Sequence, residues 1–372
     1  MEMILNYFFQ LWHIILYYLL PFAIVLGIMI FFHELGHFLL AKYFDVKVLK
    51  FALGFGPKIV AKNIGETEYS IRYFPLGGFV KMLGEDEEDE DSVDITPEDE
   101  ERAFNNKHAL KRIAIVAAGP VFNLILAFLL FSGLYLISGK YIMTTEIGQI
   151  TPGSPAERAG IAPGDIVTSV QGVKVSKWEE MKNIVQRTTD QPLSLTIERK
   201  NKILKFEIVP EVTTLKNEFG EEIQSALIGI VAAGKSTKVE IGPIQSVYES
   251  LLETWRWIKL TCLVVVKLFQ GVISIKTVGG PILIGQMTGN LVQEDISYLI
   301  PFMAIISINL GILNLFPIPI LDGGLIIFLL IELLMRKPLS IKKREIAQKV
   351  GLSLLIILMV IVFYNDILRI IK

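Results

Sequence analysis

Two histidines and a glutamate near the end of a long uncharged apolar run limit the fold of this chain most strongly. The residues from Ile14 to Phe32 carry no charge, so the run can cross a bilayer as a helix. On that helix His33 and His37 are four residues apart and stack on one face, close enough to bind one metal ion. A carboxylate such as that of Glu34 costs about 2.5–3.5 kcal/mol inside a membrane helix, which argues for a function.

The pattern of these residues is the H-E-x-x-H arrangement of zinc peptidases, in which two histidines bind Zn²⁺ and the glutamate is a general base. The alternative is a coincidence in a buried helix. The chain has only four histidines in 372 residues, so a random match has a chance on the order of one per cent. Zinc catalysis needs a third protein ligand, which this run does not supply.

The composition indicates a membrane protein. Hydrophobic residues make up 52% of the chain, and its mean hydropathy is +0.52, above the range of average soluble chains. A single cysteine, Cys262, excludes an intrachain disulfide and a cysteine-based metal site. The N-terminus has no basic residue before Lys42, so we expect the first span to be retained rather than cleaved as a signal peptide. We expect the lipid bilayer, and no nucleic acid, as a partner.

Four membrane spans are predicted, at about Ile14–Ala41, Ile113–Ile137, Tyr298–Met335 and Val350–Tyr364. The basic clusters at 42–81, 107–112 and 336–344 all fall on one side of the membrane. The positive-inside rule assigns that side to the cytoplasm. We therefore expect a multi-pass membrane protein with both termini extracytoplasmic.

The chain is predicted to be a polytopic α-helical membrane protein with four transmembrane helices, a membrane-associated β-hairpin or sheet, and an inserted α+β domain. The first two spans occupy 1–141, the inserted domain 142–235, interfacial amphipathic helices 236–297, and the last two spans 298–372. From Ile150 to Gly160 the order PGSPAERAG, followed by PGD at 163–165, resembles PDZ domains. Leu227–Ile230 is a candidate loop for a peptide carboxylate; a spacer or gate that binds nothing is at least as good an interpretation.

Two cytoplasmic segments lie between the first two spans. Glu66–Lys81 alternates in places and predicts a β-hairpin near the membrane. It is either a small sheet without function or an edge strand that pairs with substrate backbone. Glu85–Glu101 holds 12 acidic residues and is predicted to be a solvated linker without chemistry.

The third span contains prolines, a glycine pair and one carboxylate. Pro317, Pro319 and the pair at 323–324 must break the helix, and irregular backbone at membrane depth lines a site or is buried in protein. Asp322 is therefore a functional candidate and would complete a His₂Asp zinc site. Asn314 could donate to a substrate carbonyl. In the second span Asn123 either bonds a neighbouring helix or lines the site, with equal weight.

Together these residues resemble the site-2 protease family of intramembrane zinc metalloproteases (peptidase M50), and its bacterial regulator-of-sigma-E protease type. The resemblance rests on four segments: Phe32–His37, Gly119–Asn123, Asn314–Gly323 and Gly54–Pro57. It implies that His33, His37 and Asp322 bind Zn²⁺, that Glu34 is the catalytic base and that Asn314 binds substrate. It also implies a substrate-binding β-loop over about 66–83. The candidate substrate-binding residues are Asn314, Asn123, Tyr69, Ile71, Tyr73 and Phe79.

The resemblance also implies the location, the inner (cytoplasmic) membrane of a bacterium, and the substrates. Family members cleave single-span membrane proteins already shortened on the extracytoplasmic side, such as anti-sigma factors and signal-peptide remnants, in regulated intramembrane proteolysis. One PDZ domain is readable here, where the best-known relatives have two, so gating of substrates can differ. The alternative function is a catalytically inactive membrane-anchored PDZ adaptor. Intact Glu34 and Asp322 argue against an adaptor, since a scaffold has no need of charged groups in lipid.

Overall fold

A computed structural model describes residues 9–85, 96–188, 191–337 and 339–371. The chain forms two compact units. The first comprises Met1–Leu134, Val247–Val266 and Ser274–Lys372, and the second comprises Tyr135–Ser246 and Lys267–Ile273.

The longer helices, in chain order, are α1 (Leu20–Tyr43), α2 (Ala109–Ser138), α3 (Trp178–Arg187), α4 (Pro243–Phe269), α5 (Pro281–Glu294), α6 (Leu299–Asn314), α7 (Asp322–Met335) and α8 (Ile341–Ile371). The strands are β1 (Val48–Ile64), β2 (Thr67–Met82), β3 (Lys140–Met143), β4 (Ile147–Ile150), β5 (Ile166–Val170), β6 (Val173–Lys174), β7 (Leu193–Arg199), β8 (Lys202–Ile208), β9 (Glu211–Lys216), β10 (Glu222–Leu227), β11 (Ile230–Ala232) and β12 (Ser236–Val239).

Four described helical segments are long and apolar enough to cross a membrane: Phe9–Tyr43, Ala109–Ser138, Ile296–Asn314 and Lys342–Ile371. They coincide with the four predicted spans. The third predicted span is divided, because α6 ends at Asn314 and α7 begins only at Asp322. The predicted break at the prolines is therefore present. Helix α4, predicted to be amphipathic and interfacial, is not among the four.

The sheet of β1 and β2 is longer than the predicted membrane-associated hairpin. Its turn lies at Gly65–Glu66, so the prediction that the hairpin lies within 66–81 is wrong. Residues 50–53 pair with 68–71 on one side and with 78–81 on the other. Val48 pairs with Met82, and 58–64 pairs with 67–72. The sheet thus has the order 58–64, 67–72, 48–53, 78–82. Among the described strands, 78–82 pairs on one side only and forms an edge.

The first unit is held together by close contacts between α1, α2 and the sheet. Met29 of α1 and Leu126 of α2 belong to one buried apolar cluster, and Ala41 and Ile115 belong to a second one with Phe51 of β1. Burial of one large apolar side chain stabilises the fold by about 1.5–3 kcal/mol, so these clusters are the main source of stability in the first unit. They fix the register of α1 on α2, where the histidines lie.

Charged groups tie the sheet to the helix ends. Arg102 donates two hydrogen bonds of 2.8 Å to Glu66 and one of 2.9 Å to Asp45, and Lys42 donates to Glu66 at 2.6 Å. These bonds, the Arg102 pair foremost, lower the pKa of Glu66 to about 2. The cluster joins the hairpin turn to the end of α1. Residues 86–95 of the predicted acidic linker lie outside the described residues, whereas its last part forms a short helix, Pro97–Glu101, capped by Thr96.

The second unit has the predicted α+β character. Helix α3 accompanies an antiparallel sheet of strand order β6-β5-β7-β8. Three further two-stranded pairings, β10-β9, β11-β4 and β12-β3, were not predicted. Leu193, Leu195 and Ile197 of β7 are fully buried in its core.

Candidate metal centre

Two helices of the first unit bring three potential metal ligands together. His33 and His37 of α1 and Asp322 of α7 each offer one ligand atom, and these atoms all lie within 4.8 Å of one another. The two Nε2 atoms are 3.2 Å apart. Asp322 Oδ2 lies 3.2 Å from His33 Nε2, and Oδ1 lies 3.7 Å from His37 Nε2.

These distances fit a zinc ion. Three ligand atoms placed about 2.05 Å from one ion at tetrahedral angles are roughly 3.3 Å apart. Asp322 Oδ2 is buried and has no hydrogen-bond partner among the described residues. A buried carboxylate oxygen without a donor is costly, and a cation at this position would satisfy it.

Hydrogen bonds on the far side of each imidazole set its tautomer. His37 Nδ1 lies 2.9 Å from the carbonyl oxygen of Ile115. A carbonyl can only accept, so Nδ1 carries the proton and the Nε2 lone pair is left for a metal.

Asn123 of α2 sets the tautomer of His33. Its side chain is fully buried, its Nδ2 lies 3.2 Å from His33 Nδ1, and its Oδ1 has no hydrogen-bond partner within the described part of the chain. With the amide nitrogen and oxygen exchanged, which are alike in shape, Oδ1 accepts a hydrogen bond from the protonated Nδ1 of His33. That arrangement leaves the lone pair of His33 Nε2 for a metal ion. Of the two interpretations of Asn123, the structure places it beside the site, against a histidine.

Gly119 makes space for the two imidazoles. A Cβ atom at this position would lie 2.2 Å from His37 Nε2 and 2.9 Å from His33 Cε1. Gly36 has the matching role on α1, since a Cβ there would lie 2.3 Å from the carbonyl oxygen of Ala118. Helices α1 and α2 therefore touch through their backbones at the level of the histidines.

The break between α6 and α7 positions Asp322 and Asn314. Asn314 is the last residue of α6, and its Nδ2 lies 3.4 Å from His33 Nε2. Asp322 is the first residue of α7. Because the helix stops and restarts between them, both side chains reach the same imidazole although eight residues separate them.

A cavity of about 180 Å³ opens beside the three ligands, and Glu34 and the 78–82 edge line it. A Cβ atom at Gly78 would lie 3.0 Å from Glu34 Cγ, and the backbone of Val80 hydrogen-bonds to Glu34. Glu34 thus stands between the ligand cluster and the free edge of the sheet.

The other sequence-predicted residues are divided between the core and the edge. Tyr69 lies in a strand that is paired on both sides, and its ring packs on Phe38 and Phe51. Ile71 and Tyr73 are largely exposed. Phe79 lines the cavity and stacks on Phe55. The structure therefore brings Phe79 to the site but not Tyr69.

Sequence reasoning missed three participants. Gly119 and Gly78 fall in segments that the sequence marks as Gly-Pro and Gly-Gly breakers, a signal that could have indicated close approach. The Ile115 carbonyl carries no sequence signal, because every residue has one.

A carboxylate and two imidazoles at one point between membrane-spanning helices, with a further glutamate beside them, define a metallopeptidase centre within a membrane protein. The family model described as Peptidase family M50 matches residues 21–358, and the chain belongs to this family.

Relatives carry the same assignment. A protein of Brucella suis named "Putative zinc metalloprotease" is 33% identical over 357 residues, 94% of each chain. Proteins given the same description in Campylobacter jejuni and Clostridium acetobutylicum are each 36% identical. The first covers 94% of this chain and 93% of its own, and the second 92% and 94%. The predicted family, enzyme class and cofactor are confirmed: the protein is a zinc metalloprotease.

One solved structure, the HtrA3 PDZ domain bound to a phage-derived ligand, is 30% identical. It covers 21% of this chain and 71% of its own, with a TM-score of 0.17.

Proposed function

We propose that the protein is an intramembrane endopeptidase that cleaves the spanning segments of single-span membrane proteins. His33, His37 and Asp322 hold the zinc ion, and Glu34 is the general base. The carrying observation is that the three ligand atoms lie within 4.8 Å of one another although α1 and α7 are almost three hundred residues apart. Asn123 and Ile115 orient the imidazoles, and they do not touch substrate.

Bound zinc supplies a Lewis acid that polarises the scissile carbonyl and activates water. Glu34 takes a proton from the attacking water while the water oxygen forms a bond to the carbonyl carbon of the substrate. When the carbon–nitrogen bond breaks, Glu34 gives that proton to the leaving amine. Asn314 Nδ2 donates a hydrogen bond to the carbonyl oxygen, where negative charge develops.

The substrate helix has to unwind before its peptide bond is reached, and unpaired backbone is costly in lipid. The 78–82 edge can pair with the unwound segment, because its other side is already bonded to 48–53. We assign substrate pairing to this edge, with Phe79 in contact, rather than to the Tyr69 segment. The backbone bonds lost in the helix are then replaced by strand bonds.

The sheet faces the cytoplasm in the topology that the positive-inside rule gives, and both termini and the second unit are extracytoplasmic. We assign the second unit to the PDZ domains and give it control of access. Substrates would reach the site after a first cleavage outside has removed bulky domains, as in regulated intramembrane proteolysis of anti-sigma factors or signal-peptide remnants.

The deciding experiment replaces Glu34 with Gln in the full chain, reconstituted with a single-span model substrate. Because the amide cannot take a proton, we expect cleavage to fall by about 10²–10⁴-fold while one zinc ion per chain is retained. Zinc is measured by mass spectrometry and cleavage by gel analysis. Full activity in E34Q refutes the proposal.

The alternative is an inactive membrane-anchored adaptor. It predicts that wild-type protein binds substrates without cleaving any. Asp322 Oδ2 is buried and receives no hydrogen bond from the residues that the structure describes. This favours the enzyme, since an adaptor gains nothing from such a group.

A further inference from the structure

The three proposed zinc ligands are not all held in place in the same way. Ile115 and Asn123 contact the Nδ1 atoms of the two imidazoles and orient the rings. Asp322 Oδ2, in contrast, is buried and has no hydrogen-bond partner among the described residues. The position of this carboxylate therefore depends on helix α7, which begins with Asp322.

Helix α7 runs along α2 in the opposite direction. Leu329 of α7 and Ile115 of α2 belong to the same buried apolar cluster. Further from the metal centre, Glu332 in the last turn of α7 forms an ion pair with Arg112 in the first turn of α2. Rising residue numbers in α7 thus meet falling numbers in α2, as in antiparallel helices. Glu332 is roughly 15 Å from Asp322 along α7, at a rise of about 1.5 Å per residue.

The ion pair gives the contact between the two helices a fixed register. Asp322 and Glu332 are the only ionisable residues of α7, and its other residues are apolar or glycine. Apolar contacts are non-directional, so they allow more than one register. The side chains of Arg112 and Glu332 are only 10% and 22% exposed. A slide of α7 by one turn, about 5.4 Å, would separate two charges that lie largely out of water, which is strongly unfavourable.

We propose that Arg112 and Glu332 are positioning residues for the metal centre. Their ion pair sets the register of α7 on α2, and that register places the Asp322 carboxylate beside the two imidazoles, at a distance that one ion can span. Arg112 and Glu332 act through Asp322 and do not contact the ion or the substrate. This inference rests on the ligand set of the proposed function.

The test compares Glu332→Gln with the double variant Arg112→Met/Glu332→Met in the purified full chain. Glu332→Gln leaves the charge of Arg112 unpaired and should lower both the melting temperature and the zinc affinity. The double variant has no unpaired charge, and apolar replacement of a buried ion pair is often neutral for stability. We expect it to melt like the wild type and yet to bind zinc about tenfold or more weakly. Zinc affinity is measured by chelator competition.

Cobalt(II) in place of zinc gives a second measurement that does not depend on activity. The visible absorption bands of bound Co²⁺ report its coordination geometry. Both variants should shift or weaken these bands, because Asp322 no longer meets the ion in the same position. Wild-type zinc affinity and wild-type bands in the double variant would overturn the inference, and this result can be obtained even if Glu332→Gln fails to fold.

The matched control is Asp99→Asn. Asp99 forms an ion pair of 2.6 Å with Lys47 in the same unit, and its side chain is 13% exposed. Because this pair does not involve α7, D99N should lower the melting temperature and leave zinc affinity and the cobalt bands unchanged. If D99N weakens zinc binding as much as E332Q, lost stability explains the effect and the inference is wrong. Wild-type zinc affinity in Asp322→Asn would contradict the proposed metal centre itself, which separates the two failures.

Discussion

His33 Nε2 and His37 Nε2 face each other at 3.2 Å. The Ile115 carbonyl fixes the proton of His37 on Nδ1, so a lone pair of His37 points at its neighbour. Two facing lone pairs repel unless a cation lies between them, and the Asp322 carboxylate at 3.2 and 3.7 Å adds negative charge. The hydrogen bonds at the Nδ1 atoms thus direct the Nε2 lone pairs of both imidazoles to the metal position before an ion binds.

Asp322→Asn should weaken zinc binding more than the roughly 10- to 100-fold typical of residues that only orient a ligand. The amide is neutral and a poorer donor to zinc. Zinc affinity is measured by competition with a chelator. Asp295→Asn, in the same unit, is the control. The Asp295 side chain accepts a hydrogen bond from the backbone nitrogen of Ser297 in a short helix, and the variant should bind zinc normally. Unchanged affinity in D322N would remove Asp322 from the metal centre.

Gly119→Ala should abolish zinc binding and cleavage while helicity is retained. The added Cβ would lie 2.2 Å from His37 Nε2, so the imidazole must leave its place. Gly133→Ala is the matched control on the same helix, because a Cβ there meets nothing within 4 Å. It should keep activity and zinc, with helix stability raised by up to about 1 kcal/mol. Equal behaviour of the two variants in metal analysis would show that Gly119 is not a packing constraint on the site.

Asn123→Ala should lower zinc affinity by about 10- to 100-fold, because His33 loses the acceptor that fixes its tautomer. Asn123→Asp keeps an acceptor at Oδ1 and should retain more affinity than the alanine variant. Both are measured by chelator competition on purified protein. An aspartate variant that binds zinc no better than the alanine variant would contradict the assigned amide orientation.

Glu66 should make stability depend on acid pH. Its pKa is lowered from 4.5 to about 2, chiefly by the hydrogen bonds from Arg102 and then by Lys42. A carboxyl group whose pKa is lower in the folded state stabilises the folded protein at pH values above its unfolded-state pKa. This contribution is lost as the pH falls from about 4.5 towards 2. Thermal unfolding of the wild type should therefore show a steeper loss over that range than Glu66→Gln.

Solvent screens this partly exposed cluster, so the difference at neutral pH should be at most about 1 kcal/mol. Glu101→Gln is the control, and it should follow the wild-type pH profile. Superimposable profiles for wild type and E66Q would show that the ion pairs contribute no net stability.

The sequence predicts the metal centre well because the ligands carry chemical signatures. A charged residue in an apolar run has few explanations, so His33, His37 and Asp322 can be selected without a structure. The break between α6 and α7 is equally readable, since Pro317 and Pro319 cannot continue a helix. Features that follow from residue type alone, such as the metal ligands and the helix break, can therefore be predicted from the sequence.

The sheet shows where sequence reasoning fails. Alternation over 66–81 predicts a hairpin within that segment, but the turn lies at Gly65–Glu66 and 50–53 is paired on both sides. Pairing of 48–53 with 78–82 joins residues some thirty positions apart, and no local pattern encodes it. Tyr69 is a substrate-binding candidate because it falls in the β-loop that the family resemblance implies, and the alternation around it does not tell a central strand from an edge strand.

The missing side chain of Gly119 also offers a way to read related genes. A chain that keeps both histidines, the glutamate and the aspartate, but carries any larger residue at the equivalent of position 119, has the reactive groups without room for them to converge. Such a chain should be regarded as a pseudoenzyme despite its intact signature, and glycine at that place is a sharper sign of a working enzyme than the histidines alone.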